Sequence, residues 1–336
     1  MKTEVAIERF SEMIIKSMER QKSKEWQKGW IGGTYGAAPF NFGSNREYNA
    51  GNSFMLFMVS NFEGWQYPAF GTFKQVKAAG GSIKKGEESC PVLFWSIRYE
   101  KDGRKLTSEE YDELSRSEQE GFISKPFLKS YNVFNIDQTD LKETNPKLYN
   151  RVVDRVPKGE YPKDTFGMYE NAEIDYMLTF QKWLCPITYN QPSSQAFYAP
   201  AKDKIVVPMK SQFRIGDTDD EIFISGQRWY DVILHEMAHS TGSANRLNRE
   251  SSTKFADKSY AKEELVAELT AAMCGQVLGF DSRISDNNAR YLDHWIGVLR
   301  KEPKFIVSVL ADVNKASQMI LDVVYKERAS KQVEIA

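Results

Sequence analysis

The sequence predicts an α+β protein of two domains, and three observations lead there. The chain has 336 residues, 41% of them hydrophobic, which is enough to fill two separate cores. Helix-spaced apolar segments and short strands occur in both halves. Between Thr139 and Thr165 both periods are lost in a stretch rich in Asn, Pro, Lys and Asp, as in an inter-domain connector. The expected division is an N-terminal domain over residues 1–140, a linker over 141–165 and a C-terminal domain over 166–330.

Residues 5–20 place Ile7, Phe10, Ile14 and Met18 at helical spacing with charged residues between them. A glycine- and aromatic-rich loop follows from Trp26 to Asn52, then a short apolar helix from Ser53 to Asn61. Gly71 to Gly80 reads as another helix, with Thr72 as N-cap and Gly80 as stop. Pro91–Ile97 and Phe127–Ile136 read as strands, separated by a charged excursion (Tyr99 to Glu120) expected to be a solvated insertion. In the second half, a helix is expected over Ala172–Leu184. Two short strands (Phe197–Pro200 and Lys204–Pro208) then flank a turn at Asp203, and late helices are expected over Asn288–Leu299 and Lys304–Tyr325.

Composition excludes several functions. The formal net charge is −1, from 45 basic and 46 acidic residues, which suits neither a polybasic nucleic-acid coat nor an acidic DNA mimic. Cys90, Cys185 and Cys274 are odd in number and widely spaced, so they frame neither disulfides nor a zinc cluster. No apolar run is long enough to span a membrane, and the N-terminus lacks a secretory core. A cytoplasmic location is the expectation.

The most informative stretch is His235-Glu236-Met237-Ala238-His239. Residues four apart share a helix face, so the two imidazoles can hold one ion between them. Glu236, rotated about 100° from His235, addresses the ion's open position, where a carboxylate can take a proton from metal-bound water. The chain has only three histidines, and two of them fall in this pattern. The third, His294, reads as a structural or surface residue.

A third ligand must come from elsewhere. Gly242 is followed by Asn245 where the extended histidine pattern needs an imidazole, and an amide is a poor zinc ligand. The helix-forming run Tyr260–Met273 offers Glu264 and Glu268 on one face, Glu264 to complete the site and Glu268 to orient a ligand ring. Glu263 is expected to point away into solvent. Zinc is the default ion for two histidines and a glutamate, and Mn2+ or another divalent ion is the alternative. Tyr198, Tyr260 and Arg246 are candidates, by residue type, for stabilising an oxyanion.

In the first half, Lys16, Arg20, Lys22, Lys24, Lys28 and Arg46 interleave with Trp26, Trp30, Tyr35, Phe40 and Tyr48, and Lys74, Lys77, Lys84 and Lys85 form a second basic group. A groove that tracks phosphates and stacks bases needs this mixture. A glycine-rich loop whose aromatics fill the core would look the same.

The chain resembles the ArdC-type antirestriction proteins of plasmids and other mobile elements. In the first half the likeness rests on Pro39-Phe40-Asn41, Tyr48 with Gly51-Asn52, Thr72-Phe73-Lys74-Gln75, Gly80-Gly81 with Lys85-Gly86-Glu87, and Val133 to Gln138. In the second it rests on Ala196-Phe197-Tyr198, Asp203, Pro208, His235 to Gly242, Arg246-Leu247-Asn248-Arg249 and Tyr260 to Glu268. The resemblance implies an N-terminal domain that binds single-stranded DNA and a C-terminal zincin-like metallopeptidase domain acting where DNA enters a cell, as in conjugation. It matches Glu264 and Glu268 to a Glu-x-x-x-(Glu/Asp) pattern whose first member is the third ligand. The expected DNA contacts are Trp26, Trp30, Arg46, Tyr48, Lys74, Lys84 and Lys85. The expected protein partner is an unidentified substrate or a restriction enzyme. The alternative is a non-proteolytic protein that coats single-stranded DNA, with a structural metal site.

Overall fold

The computed structural model describes residues 3–21, 38–48, 50–156, 162–249, 258–280 and 292–334. Trp26 and Trp30 lie outside the described residues. The first helix, α1 (Thr3–Gln21), buries Ile7, Phe10 and Ile14 at the expected spacing. It is followed by β1 (Phe40–Asn41), α2 (Ala50–Glu63), β2 (Ala69–Thr72) and α3 (Phe73–Ala78). Thr72 caps α3 as the sequence predicts: its hydroxyl accepts the Gln75 N–H, and the Gln75 side chain accepts the Thr72 N–H at 2.8 Å.

The chain then runs through β3 (Cys90–Lys101), β4 (Arg104–Leu106), α4 (Ser108–Asp112), α5 (Arg116–Gln119) and β5 (Ile123–Asn135). These strands form a sheet in the order β1-β2-β5-β3-β4, with β1 parallel to β2 and the other pairs antiparallel. Here the structure corrects the expectation. The excursion after Ile97 begins as ordered ribbon, with Tyr99 paired to both Leu106 and Ser124 and stacked on Tyr111 at 3.6 Å between centroids. Neither face of that ribbon is buried in a core, so its sequence carries no apolar alternation to announce a strand.

Residues 141–156, expected to begin a linker, form α6 (Leu141–Thr144) and α7 (Pro146–Arg155). Leu141 and Val152 bury against Phe40, Phe42, Val76 and Ile136, so this segment packs on the N-terminal sheet. The amphipathic face of α7 is short and dominated by charge in the sequence, which hid it.

The second half opens with α8 (Ala172–Thr179), β6 (Ile187–Thr188), β7 (Phe197–Ala199) and β8 (Lys204–Val206). The sheet order is β6-β8-β7, which leaves β7 at an edge among the described residues. Asp203 turns the β7–β8 connection at φ 43°, in the left-handed region that Asp tolerates. Then come α9 (Asp219–Thr241), α10 (Lys258–Val277), α11 (Leu292–Lys301) and α12 (Phe305–Glu334). None of these helices is long and apolar enough to cross a membrane.

The halves do not keep separate cores. One cluster joins Phe10, Ile14, Met55, Leu56 and Val92 of the first half to Leu265, Leu269, Trp295 and Val309 of the second. A second cluster surrounds α9 and includes Ala267, Ala271 and Cys274 of α10. Helix α10 is therefore buried on both sides and fixed between two packed layers. At Gly226, α9 crosses residues 168–169 so closely that a Cβ would lie 2.3 Å from the Tyr169 backbone nitrogen. We expect Gly226→Ala to destabilise the fold by about 1–3 kcal/mol or more through overpacking, measurable as a lowered denaturant midpoint.

Candidate metal centre

Helix α9 places the histidine motif. Thr218 caps its start in a reciprocal bond with Glu221, and Gly242 ends it. Tyr230, Ile233, Leu234, Met237 and Ala238 bury one face, which turns His235 and His239 towards α10. Their Nε2 atoms lie 3.0 Å apart. Glu264 of α10 faces both, with one carboxylate oxygen 3.8 Å from His235 Nε2 and the other 3.7 Å from His239 Nε2. For a tetrahedral ion with bonds near 2.0–2.1 Å, donors stand about 3.3–3.4 Å apart, and the observed separations straddle that value. Two imidazole nitrogens and a carboxylate oxygen are the donor set a divalent ion of this kind takes, and the group fits one.

The backs of both rings meet carboxylates. His235 Nδ1 is 3.6 Å from Glu268, the electrostatic contact expected of that residue. His239 Nδ1 is 3.4 Å from Glu263. Glu263 is thus not solvated, contrary to the expectation. Its carboxylate is buried and gripped by Arg249, whose Nε and Nη2 donate at 2.8 and 2.6 Å. The same guanidinium donates to Thr241 Oγ1 and the Ala238 carbonyl, tying the loop after α9 to both helices. The only sequence signal for this role was Arg249 itself, following the motif helix.

Electrostatics follow from this packing. Burial pushes His235 well below the usual imidazole range, and the charge on His239 adds to that. Burial also opposes charge on His239, but the Glu263 hydrogen bond and the nearby charges of Glu236, Glu264 and Glu263 outweigh it and raise its pKa to about 9. With the two Nε2 atoms 3.0 Å apart, charge on one ring opposes charge on the other. Burial raises Glu236 to about 7, against opposing contributions from His239 and from the Tyr198 backbone N–H. A carboxyl group titrating near neutrality beside a metal-ligand set has the pKa a general base needs.

That Tyr198 N–H belongs to edge strand β7, and a half-buried clamp holds the strand in place. Asp203 accepts from the Tyr198 hydroxyl at 2.8 Å and is chelated by Arg246, which also donates to the Ser240 carbonyl at 2.7 Å at the end of α9. Tyr198 and Arg246, candidates by type for an oxyanion donor, are committed to this clamp. Tyr260 packs against the core shared by the two halves. His294 is exposed on α11 and lies outside the donor group.

We expect Arg249→Ala to leave Glu263 buried without its cation. Removing one partner of such a pair costs about 3–5 kcal/mol, and the loss of an oriented ring should also weaken ion binding roughly 10–100-fold. Thermal unfolding with and without added ion separates the two effects.

The expected DNA contacts fare unevenly. Arg46, Lys74 and Lys85 are exposed. Lys84 is exposed too, but its ammonium donates to the Asp137 carbonyl at 2.8 Å. Tyr48 is 9% exposed, packed edge-on against Phe70 with its hydroxyl accepting from Asn41, so its ring is core and does not offer a stacking face. Asn41 and Gln75, from two of the quoted motifs, bond to each other at 2.9 and 3.0 Å and fix the β1 turn against α3.

Residues 4–134 match the family model described as the N-terminal domain of anti-restriction factor ArdC, and residues 180–312 match that of a zincin-like metallopeptidase. A DNA primase TraC of Escherichia coli is 27% identical over 94% of this chain, and a second is 28% identical over 93% of it. The chain spans only 27% and 20% of the length of those two relatives. An uncharacterized protein y4eC of Sinorhizobium fredii is 26% identical over 97% of this chain and 93% of its own length. The metal-free crystal structure of the antirestriction ArdC protein from plasmid R388 superposes with a TM-score of 0.67 at 25% identity, covering 95% of this chain and 98% of that one. Its Mn(II)-bound structure shares the fold with a TM-score of 0.63 at 24% identity, over 95% and 97% of the two chains. With both domain matches in order along one chain and the fold shared with ArdC, the chain joins an ArdC-type N-terminal domain to a zincin-like metallopeptidase domain.

Proposed function

We propose that the protein is a zinc-dependent peptidase of the antirestriction type that binds single-stranded DNA. The observation that carries this reading is the position of Glu236: buried, one residue from a ligand histidine, near the backbone N–H of edge-strand residue Tyr198, and raised by burial to about 7. When bound, a divalent ion would acidify a water and polarise a carbonyl at its open position. His235, His239 and Glu264 hold the ion, while Glu263 and Glu268 fix the ring orientations. Glu236 takes the proton from the attacking water and returns it to the leaving amine. Strand β7, at its sheet's edge and beside Glu236, offers backbone groups with which an extended peptide can pair. Zinc is the ion this donor set favours, and manganese is the alternative.

The N-terminal domain supplies the DNA contact. Holding a strand there raises the local concentration of proteins bound to the same strand, which then meet the peptidase site. The test is cleavage of fluorescein-labelled casein by the zinc-loaded full chain, with and without chelator, and of a DNA-binding protein with and without a shared oligonucleotide. Cleavage that needs the ion, and that the shared strand accelerates, supports the reading. A zinc-loaded, DNA-binding protein that cuts neither substrate would instead be a coat protein with a structural ion.

A further inference from the structure

Strands β3 and β5 pair along their whole length, and the register places Val133 opposite Cys90, Tyr131 opposite Val92, Lys129 opposite Phe94, Phe127 opposite Ser96 and Lys125 opposite Arg98. Paired residues and their second neighbours share a face, so these side chains form one continuous row. At one end the row is core: Cys90, Val92 and Val133 are buried with residues of α1 and α2. Beyond Val92 the face opens. Tyr131 is 46% exposed, with Phe94 edge-on beneath it at 5.8 Å. Phe127 carries the Arg98 guanidinium over its ring at 4.5 Å and the Lys129 ammonium at 5.5 Å. The acidic member of the open face, Glu100, is paired with Lys125 at 2.6 Å.

A hairpin stapled for its own stability does not need a tyrosine half in solvent, nor two cations gathered over one ring. An acidic polymer that also presents flat apolar faces uses both features. Tyr131 and the Arg98–Phe127 pair are about 13 Å apart along the strand, with Lys129 midway. That leaves room for two or three nucleotides, the run that aromatic residues on a sheet face stack. Bases in a duplex are already stacked on each other, so this pattern suits a single strand.

We propose that the open face of the β3–β5 ribbon, formed by Tyr131, Lys129, Phe127 and Arg98, is the platform on which the protein stacks single-stranded DNA. The inference deepens the DNA-binding part of the proposed function and rests on it. It moves the contact from the basic residues Lys74, Lys84 and Lys85 to a ribbon whose sequence reads only as two strands.

The test is fluorescence anisotropy of a labelled oligothymidylate with the full chain at several salt concentrations. Tyr131→Ala and Phe127→Ala should each weaken binding about 5–150-fold, the loss that one stacked base implies. Tyr131→Phe, which keeps the ring, should bind like wild type. Lys129→Gln and Arg98→Gln should each flatten the salt dependence by about one unit of slope. Wild-type binding that these variants leave intact, while Lys74→Gln, Lys84→Gln and Lys85→Gln abolish it, would overturn the platform and spare the DNA reading. Wild type that binds no oligonucleotide would sink both. Equal competition by a polyglutamate peptide would overturn the assignment to nucleic acid.

Discussion

Glu236→Gln is expected to slow peptide hydrolysis by about 10²–10⁴-fold, the contribution of a positioned general base, while ion binding and stability survive. The amide has the same shape as the carboxylate and keeps an oxygen to accept the Tyr198 N–H. It removes a charge from a site where burial already opposes that charge, so the fold loses nothing by the exchange. Parallel assays of casein cleavage, ion stoichiometry and melting temperature check this. Unchanged cleavage would remove Glu236 from the chemistry. Lost cleavage with lost ion would give it a structural role instead.

Glu264→Ala is expected to weaken ion binding by more than the roughly 10–100-fold that loss of an orienting partner costs, because it removes a donor itself. Glu263→Ala and Glu268→Ala should fall within that lower range. The pH dependence has a definite sign. With His239 raised to about 9 in the ion-free protein, an ion binding at neutral pH must displace a proton. Apparent affinity should therefore rise with pH, by up to about tenfold per unit as one proton is released, and level off above pH 9. The ion-free fold should run the other way. A raised histidine pKa stabilises fully below the unfolded value near 6.5 and loses that contribution as pH climbs through about 9. Titration calorimetry in buffers of different ionisation enthalpy, with melting curves across the same pH range, measures both. Affinity independent of pH between 7 and 9 would contradict the raised His239.

Much of this site was legible because it sits on regular helices. The four-residue spacing put His235 and His239 on one face of α9, and helix propensity put Glu264 and Glu268 on one face of α10. Glu263 was misjudged because its partner, Arg249, reaches it through a loop whose course no periodicity encodes. Tyr198 and Arg246 were singled out by chemical type, and only the turn at Asp203 shows that they brace a strand. Tyr48 was misread for a related reason: an aromatic among glycines and cations reads alike as core or as platform until its neighbours are known. In the first half, the strands beyond Ile97 and the packing of α6 and α7 on the sheet were missed, although some local helix was expected there, because their side chains meet water or a small local cluster, which leaves the apolar pattern weak. The shared core was also out of reach, since a helix buried on two sides looks in sequence like one buried on a single broad face.

Two imidazoles and one carboxylate from different helices would grip a single divalent ion. Equilibrium dialysis against zinc, followed by elemental analysis, tests it most directly on wild type, His235→Ala, His239→Ala, Glu264→Ala and Glu236→Gln. One ion per chain is expected for wild type and Glu236→Gln, and strongly depleted ion for the other three. Full occupancy in Glu264→Ala, or no ion in wild type, would contradict it.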